Sequence, residues 1–350
     1  MDNEKYMIMG IIVLIAIGSI IYLNNVTTEQ VVNANPQNTE KSTEVNLQNT
    51  EKITVVLPVM PTSWWSMFYS AKTQGYYAEE GLDVDFEYIA EGGYGVIKQV
   101  AAGNGEFGLA GGDSLMVARS NDIPVVSIYQ HHQSTKWSII AKKDSGINTL
   151  SDLEGKTIAI QGPENPLHLA AKGMLKKQGV DYNSINYVPV GGSGIIPALI
   201  SDSADAVTGN EVYKFVLENK GIEFNIWYSK DYGVDLTSLA ILCSEDTLKN
   251  NPQLAEKFVR ATHKGLKYAI ANPEEAVDDY IKNFNPTGNV QMESKLWDVV
   301  VKDMIKPDEY PLGSFDKNQW EDTQNIMYEL GSMKKKIDVT KAYTDRFVPN

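Results

Sequence analysis

The stretch "ITVVLPVMPTSWWSMFYSAKTQGYYAEEGLDVDFEYI", Ile53–Ile89, holds a complete strand–helix–strand unit. Its β-rich opening, Ile53–Leu57, breaks at Pro58 and Pro61, which fix φ and lack the donor a strand needs. A helix is predicted through Trp65–Glu80, and a second strand over 82–89. Strands separated by a helical segment cannot form a tight hairpin, so the pair is predicted to be parallel and the sheet α/β. One feature fits poorly with simple packing. Trp64 and Trp65 are adjacent, and neighbours on a helix point about 100° apart, so both indoles cannot enter one core. At the end of a strand, where open α/β sheets bind ligands, at least one indole is expected to form a wall for a flat solute.

The same alternation continues outward. "YGVIKQVAAG" reads as a helix, "EFGLAG" (106–111) as a strand, "DSLMVARSND" as a helix and "PVVSIYQ" (124–130) as a strand. A second α/β set of about a hundred residues starts near Ser138, with strands at "SIIAKK", "TIAIQG", "INYVPV", "ADAVTG" and "EFNIWYS". After Cys243 the chain turns helical, with an apolar stripe through Leu254, Phe258, Ala261, Leu266 and Ile270, and more helix at 292–305 and 318–335. The expected organisation is lobe 1 at 53–134, lobe 2 at 135–235, and a return to lobe 1 with C-terminal helices at 236–350.

The first fifty residues are different in kind. Tyr6–Leu23 is an uncharged apolar run of 18 residues, close to the roughly 20 that span a bilayer. It ends without a small-residue cleavage pattern, so residues 1–23 are expected to be an uncleaved membrane anchor rather than a removed signal segment. Residues 24–52, rich in Asn, Thr, Gln and Glu and repeating "QNTEK" at 37–41 and 48–52, are expected to be a flexible polar linker. An anchor followed by a leash fits a folded part that works just outside a membrane, and the expected location is anchored at the extracytoplasmic face of the cell membrane.

A formal charge of −14 over 350 residues argues against nucleic acid as a partner. The single cysteine, Cys243, excludes an intrachain disulfide and lies in an apolar run where a buried, inert thiol is expected. His131 and His132 sit at the expected crossing between lobes; side by side on a strand they would face opposite sides, so no metal site is expected from them. No nucleophile–base motif appears.

Several blocks carry a family resemblance. "TQGYYAEEGLDVDF", "GGYGVIKQVAAGNGEFGLAGGDSLMVARSNDIPVVSI", "DSGINTLSDLEGKTIAI", "ADAVTGNE" and "NPQLAEKFVRATHKGLKYAIANPEEAV" resemble successive blocks of the solute-binding proteins of ABC importers, in the branch for nitrate, sulfonates, taurine and thiamine-pyrimidine precursors. The resemblance covers roughly residues 53–280. It implies the two-lobed periplasmic-binding-protein-like fold of type II, hinged near Gln133–Ser138 and Asp231–Thr237. It also implies a small-molecule solute, permease subunits as partners, a monomer, no cofactor and no enzymatic activity. "PTSWWSM" departs from the Asn- and His-containing version usual in the thiamine-precursor branch.

From lobe 1 the expected ligand contacts are Trp64, Trp65, Gly112, Asp113, Ser114 and His132; Asp113 or Ser114 can equally cap the following helix. From lobe 2 they are Asn165, Ser193, Glu211 and Tyr213. Asn165 before Pro166 also reads as an ordinary helix cap, and Glu211 as a dipole partner. A carboxylate at 211 favours an aminopyrimidine or similar N-heterocycle, the preferred solute, over an alkylsulfonate or taurine, the second choice. A pyrimidine-synthase-like enzyme and a membrane-tethered sensor are the alternatives from other classes; such synthases carry a cysteine-rich motif that this chain lacks.

Overall fold

The computed structural model describes residues 50–349 apart from 59, 164 and 306–308. The expected anchor and nearly all of the linker lie outside the described residues. In chain order the strands are β1 (Glu51–Pro58), β2 (Leu82–Ile89), β3 (Phe107–Gly111), β4 (Val125–Gln130), β5 (Ser138–Lys142), β6 (Thr157–Ile160), β7 (Asn186–Pro189), β8 (Ala206–Gly209), β9 (Phe224–Tyr228) and β10 (Leu239–Ser244). The helices are α1 (Ser66–Thr73), α2 (Tyr76–Glu79), α3 (Gly92–Ala101), α4 (Gly112–Ser120), α5 (Pro166–Lys177), α6 (Gly191–Ile200), α7 (Glu211–Asn219), α8 (Glu245–Asn250), α9 (Pro252–Ala271), α10 (Pro273–Phe284), α11 (Val290–Val299) and α12 (Lys317–Glu329).

These strands build two five-stranded sheets with the same plan, β2-β1-β3-β10-β4 and β7-β6-β8-β5-β9. In each sheet the first three strands are parallel, as the helical connections require. In each, the fourth strand is the one that has just crossed from the other lobe: β10 runs antiparallel to β3 and β4, and β5 antiparallel to β8 and β9. β1 is an interior strand covered on both faces, which is why Val55, Val56 and Leu57 read as a continuous apolar run rather than an alternating one.

The long helix predicted through Trp65–Glu80 is three pieces. A short 3-10 turn, Ser63–Trp65, opens it, and α1 follows. Gly75 then takes φ +77°, a conformation that interrupts the helix before α2. α9 lies along α1 with Gly265 at the contact, where a Cβ would come within 2.3 Å of the Met67 carbonyl oxygen. That glycine lets the two helices approach closely and seals the underside of lobe 1, where Phe68, Phe107 and Phe258 stack. Cys243 is fully buried in β10, and burial pushes its thiol up to about 12.

Two connections join the sheets, β4 to β5 and β9 to β10. Asp235 on the second accepts from Ser134 Oγ (2.9 Å) and the Thr135 N–H (3.2 Å) on the first. Nearby, Gln130 donates to the Ser238 and Leu239 carbonyls. The crossings are therefore tied to each other as well as to the lobes.

Candidate ligand-binding cleft

The carboxyl ends of β1, β6 and β8 converge on a cleft of about 700 Å³ whose lining includes Pro58, Gln161 and Asn210, the residues at or just beyond those ends. This is where open α/β sheets leave room for a ligand. Lobe 1 supplies Trp64, Trp65, His132 and Leu239; lobe 2 supplies Gln161, Leu167, Val212 and Tyr213; α11 adds Met292, Glu293 and Leu296. The lining is mainly apolar, and none of its residues is Lys or Arg.

The tryptophan doublet divides its labour by burial. Trp65 is 3% exposed and belongs to the lobe 1 core, while Trp64 is half-buried. Their rings meet edge to face at 6.3 Å, and Trp64 meets His132 edge to face at 5.7 Å. Both residues line the cleft. Neither indole N–H has a hydrogen-bond partner among the described residues, nor do His132 Nε2 and Thr135 Oγ1. Indole nitrogen is a donor only, so two buried donors here lack acceptors.

His131 and His132 do not face opposite sides as expected. β4 ends at Gln130, and both following N–H groups donate to the Leu239 carbonyl, so the chain leaves strand geometry and the two rings lie 4.4 Å apart. His131 Nε2 donates to the Trp64 carbonyl at 2.8 Å; a carbonyl only accepts, so this nitrogen carries the proton. Burial pulls His131 down to about 4 and holds His132 well below the usual imidazole value. Both are neutral near pH 7.

In lobe 2, Gln161 Nε2 donates to the Tyr213 hydroxyl at 2.6 Å, and that hydroxyl donates to the Gly192 carbonyl at 3.3 Å. Glu293 holds the tryptophan turn. Its Oε2 accepts from the Ser63 N–H (2.8 Å), and its backbone carbonyl accepts from Ser63 Oγ (2.8 Å). Nothing in the local sequence at 293 announces that role, because the partner lies 230 residues away.

Other expected contacts are corrected. Glu211 opens α7 but turns beneath it: at 2% exposure, its Oε1 accepts from the Tyr228 hydroxyl at 2.5 Å, and the Lys214 ammonium lies 3.1 Å from Oε2. It is not among the cleft-lining residues. Ser193 is exposed within the first turn of α6 and lines no described cavity. Asn165 caps α5, accepting from the Leu167 N–H and donating to Gln161 Oε1, so it braces Gln161 rather than lining the cleft. Gly112 is buried against Thr237 and Trp320, where a Cβ would lie 2.5 Å from Thr237. Asp113 and Ser114 line a separate cavity on the other side of α5.

A riboflavin-binding protein, RibY, of Chloroflexus aurantiacus is 28% identical over 312 residues, covering 85% of this chain and 86% of the relative. A formylaminopyrimidine-binding protein of Halalkalibacterium halodurans is 28% identical over 278 residues, 77% of this chain and 82% of the relative. Among solved structures, a putative periplasmic sulfonate-binding protein SsuA from Methylobacillus flagellatus superposes with a TM-score of 0.70 at 18% identity, covering 86% of this chain and 93% of that one. At that identity the likeness is one of fold, and it is the two-lobed binding-protein fold expected from the sequence. The family described as NMT1/THI5 like matches residues 65–276, well over half of the chain, and the chain belongs to that family.

Proposed function

We propose that this protein is the solute-binding component of an ABC importer, closing its two lobes over a flat, uncharged N-heterocycle rich in hydrogen-bond acceptors, of the isoalloxazine kind. The observation that carries the proposal is the half-buried ring of Trp64, set beside His132 in a largely apolar cleft lined by no Lys or Arg, with two indole N–H groups in its wall that have no acceptor among the described residues. A buried donor without an acceptor costs free energy that a ring carbonyl or ring nitrogen relieves. The riboflavin-binding relative agrees with that chemistry.

The competing solutes fit less well. A sulfonate or taurine head carries a full negative charge, and the lining includes a carboxylate, Glu293, and no Lys or Arg. An aminopyrimidine offers donors, but Glu211 is turned away to Tyr228 and Lys214, and Glu293 is engaged by Ser63. The enzyme reading loses support from Cys243, a buried thiol held protonated within β10. Tethering through Tyr6–Leu23 to the extracytoplasmic face of a membrane rests on the apolar run alone; recovery of the full chain in the soluble fraction after cell breakage would remove it.

Fluorescence titration of the full chain with riboflavin tests the ligand class, since a ring stacked on Trp64 quenches both flavin and indole emission. Saturable quenching is expected, and it should weaken at least tenfold in Trp64→Ala. No saturable flavin binding, with an organic anion found by mass spectrometry of the purified chain, would overturn the reading.

A further inference from the structure

α7 carries two apolar stripes where a helix of a single lobe needs one. Val212 and Phe215, three apart, share one face; Tyr213 and Leu217, four apart, share another. Leu217 is fully buried in the lobe 2 core that holds Ile140 and Val207, with Tyr213 packed against it. Phe215 turns the other way. It is 7% exposed and belongs to the lobe 1 core, which includes Leu296 and Val299 of α11, and Val212 rests against the same cluster. Among the described residues it is the one buried side chain between 135 and 235 in that core. The second stripe therefore needs a partner from the other lobe, and α11 is the helix that meets α7.

Charges mark the same spot. The Lys295 ammonium, carried by α11, lies 5.5 Å from the centroid of the Phe215 ring, and the Lys214 ammonium lies 5.3 Å from it. A cation at that range is attracted to an aromatic ring. Lobe 1 thus holds Phe215 by apolar burial and by a cation together. Val212 and Leu296 line the cleft, but Phe215 does not. The contact borders the solute's space without entering it.

We infer that α7 and α11 form a seam between the lobes, and that Phe215 is a positioning residue for solute binding. It sets the share of the ligand-free chain that is closed. Observed affinity is the affinity of the closed state scaled by that share. Weakening the seam therefore lowers affinity for every cleft solute by one factor, whereas loss of a contact residue discriminates between solutes.

Small-angle X-ray scattering and flavin titration of the full chain test the seam from both sides, with Phe215→Ala and Lys295→Glu. Lys295 is exposed, so its charge reversal spares the core even where Phe215→Ala folds poorly. Both variants are expected to have a larger ligand-free radius of gyration than the wild-type chain and to return to its radius when saturated with riboflavin. Affinities for riboflavin and for lumiflavin, the same ring with a methyl group in place of the polyhydroxylated chain, are expected to fall together, by about tenfold in Phe215→Ala and about threefold in Lys295→Glu. Phe215→Leu keeps a large apolar side chain and should recover most of the loss. A Phe215 that only fills space would lower the unfolding temperature and leave the radius and both affinities unchanged in the folded variants, and that result overturns the seam. An unequal loss for the two flavins overturns it as well, by placing Phe215 against the solute, and so does a loss of affinity at unchanged radius. The affinity arm rests on the function proposed above, and the scattering arm does not. If the wild-type chain binds no flavin, that function falls, and the ligand-free radius alone decides the seam.

Discussion

Trp64 and Trp65 show how much one residue position decides. Trp65 is packed in the lobe 1 core, so Trp65→Ala should cost about 3–5 kcal/mol of stability. Trp64→Ala should cost much less stability and mainly affinity; denaturant unfolding and titration read the two separately. Glu211→Gln is expected to leave flavin affinity within twofold, because its carboxylate serves Tyr228 and Lys214 and not the cleft. A large loss of affinity would restore the aminopyrimidine reading. The buried imidazoles make a pH prediction. In the unfolded chain His131 titrates near 6.5, and in the fold near 4, so the unfolded state binds more protons on acidification. Stability is then lost as pH falls from about 6.5 toward 4, by on the order of 3 kcal/mol for His131. His132 acts in the same direction. Asp113 opposes them: burial raises it from 3.8 to about 6, so its contribution is present at low pH and is lost as pH rises through 6. Two imidazoles outweigh one carboxyl, and thermal unfolding should give a lower Tm at pH 5 than at pH 7. His131→Gln should flatten that dependence. At this scale the sequence exposed the doublet, because adjacency alone forbids a shared core. It could not show which side of α7 Glu211 would take, since that is decided by Tyr228 on another strand.

At the scale of elements, legibility followed the range of the interaction. The parallel strands and their order of appearance were readable from local apolar runs and breakers. The break at Gly75 was not marked off from an ordinary helical glycine, and the turn after Gln130 that brings His131 beside His132 depends on the Leu239 carbonyl of β10. A helix was expected at 292–305, but the place of α11 at the cleft was not foreseen. Its Glu293 holds Ser63 by two hydrogen bonds and so fixes the turn that presents Trp64. Glu293→Ala removes the side-chain acceptor and leaves the Ser63 N–H in a partly buried place without one. We expect a loss of about 1–3 kcal/mol in stability and a rise in the dissociation constant for flavin, although residue 293 lies 230 residues from the Ser63 it holds. If affinity is unchanged while stability falls, the turn is held by the core alone.

For the whole molecule, the two sheets exchange a strand each, so the lobes are joined by two tied crossings, and one buried apolar cluster draws on both, with Val96 and Leu115 from lobe 1 and Ile139 and Ile158 from lobe 2. Such a hinge closes only if the solute binds the closed state better than the open one, which requires contacts from both lobes. Lobe 1 offers the Trp64 and His132 wall; lobe 2 offers Gln161, fixed by Tyr213 and Asn165. Removing the lobe 2 pair with Gln161→Ala and Tyr213→Ala should therefore separate binding from closure. The wild-type chain is expected to become more compact in small-angle X-ray scattering when saturated with flavin, and to gain about 2.7 kcal/mol of stability at a hundredfold excess over its dissociation constant. The double variant should still quench Trp64 fluorescence on binding, with weaker affinity, but its radius of gyration should change far less at saturation. Compaction equal to that of the wild-type chain would mean that lobe 1 contacts alone drive closure, and the proposed meeting of both lobes on one ring would be wrong.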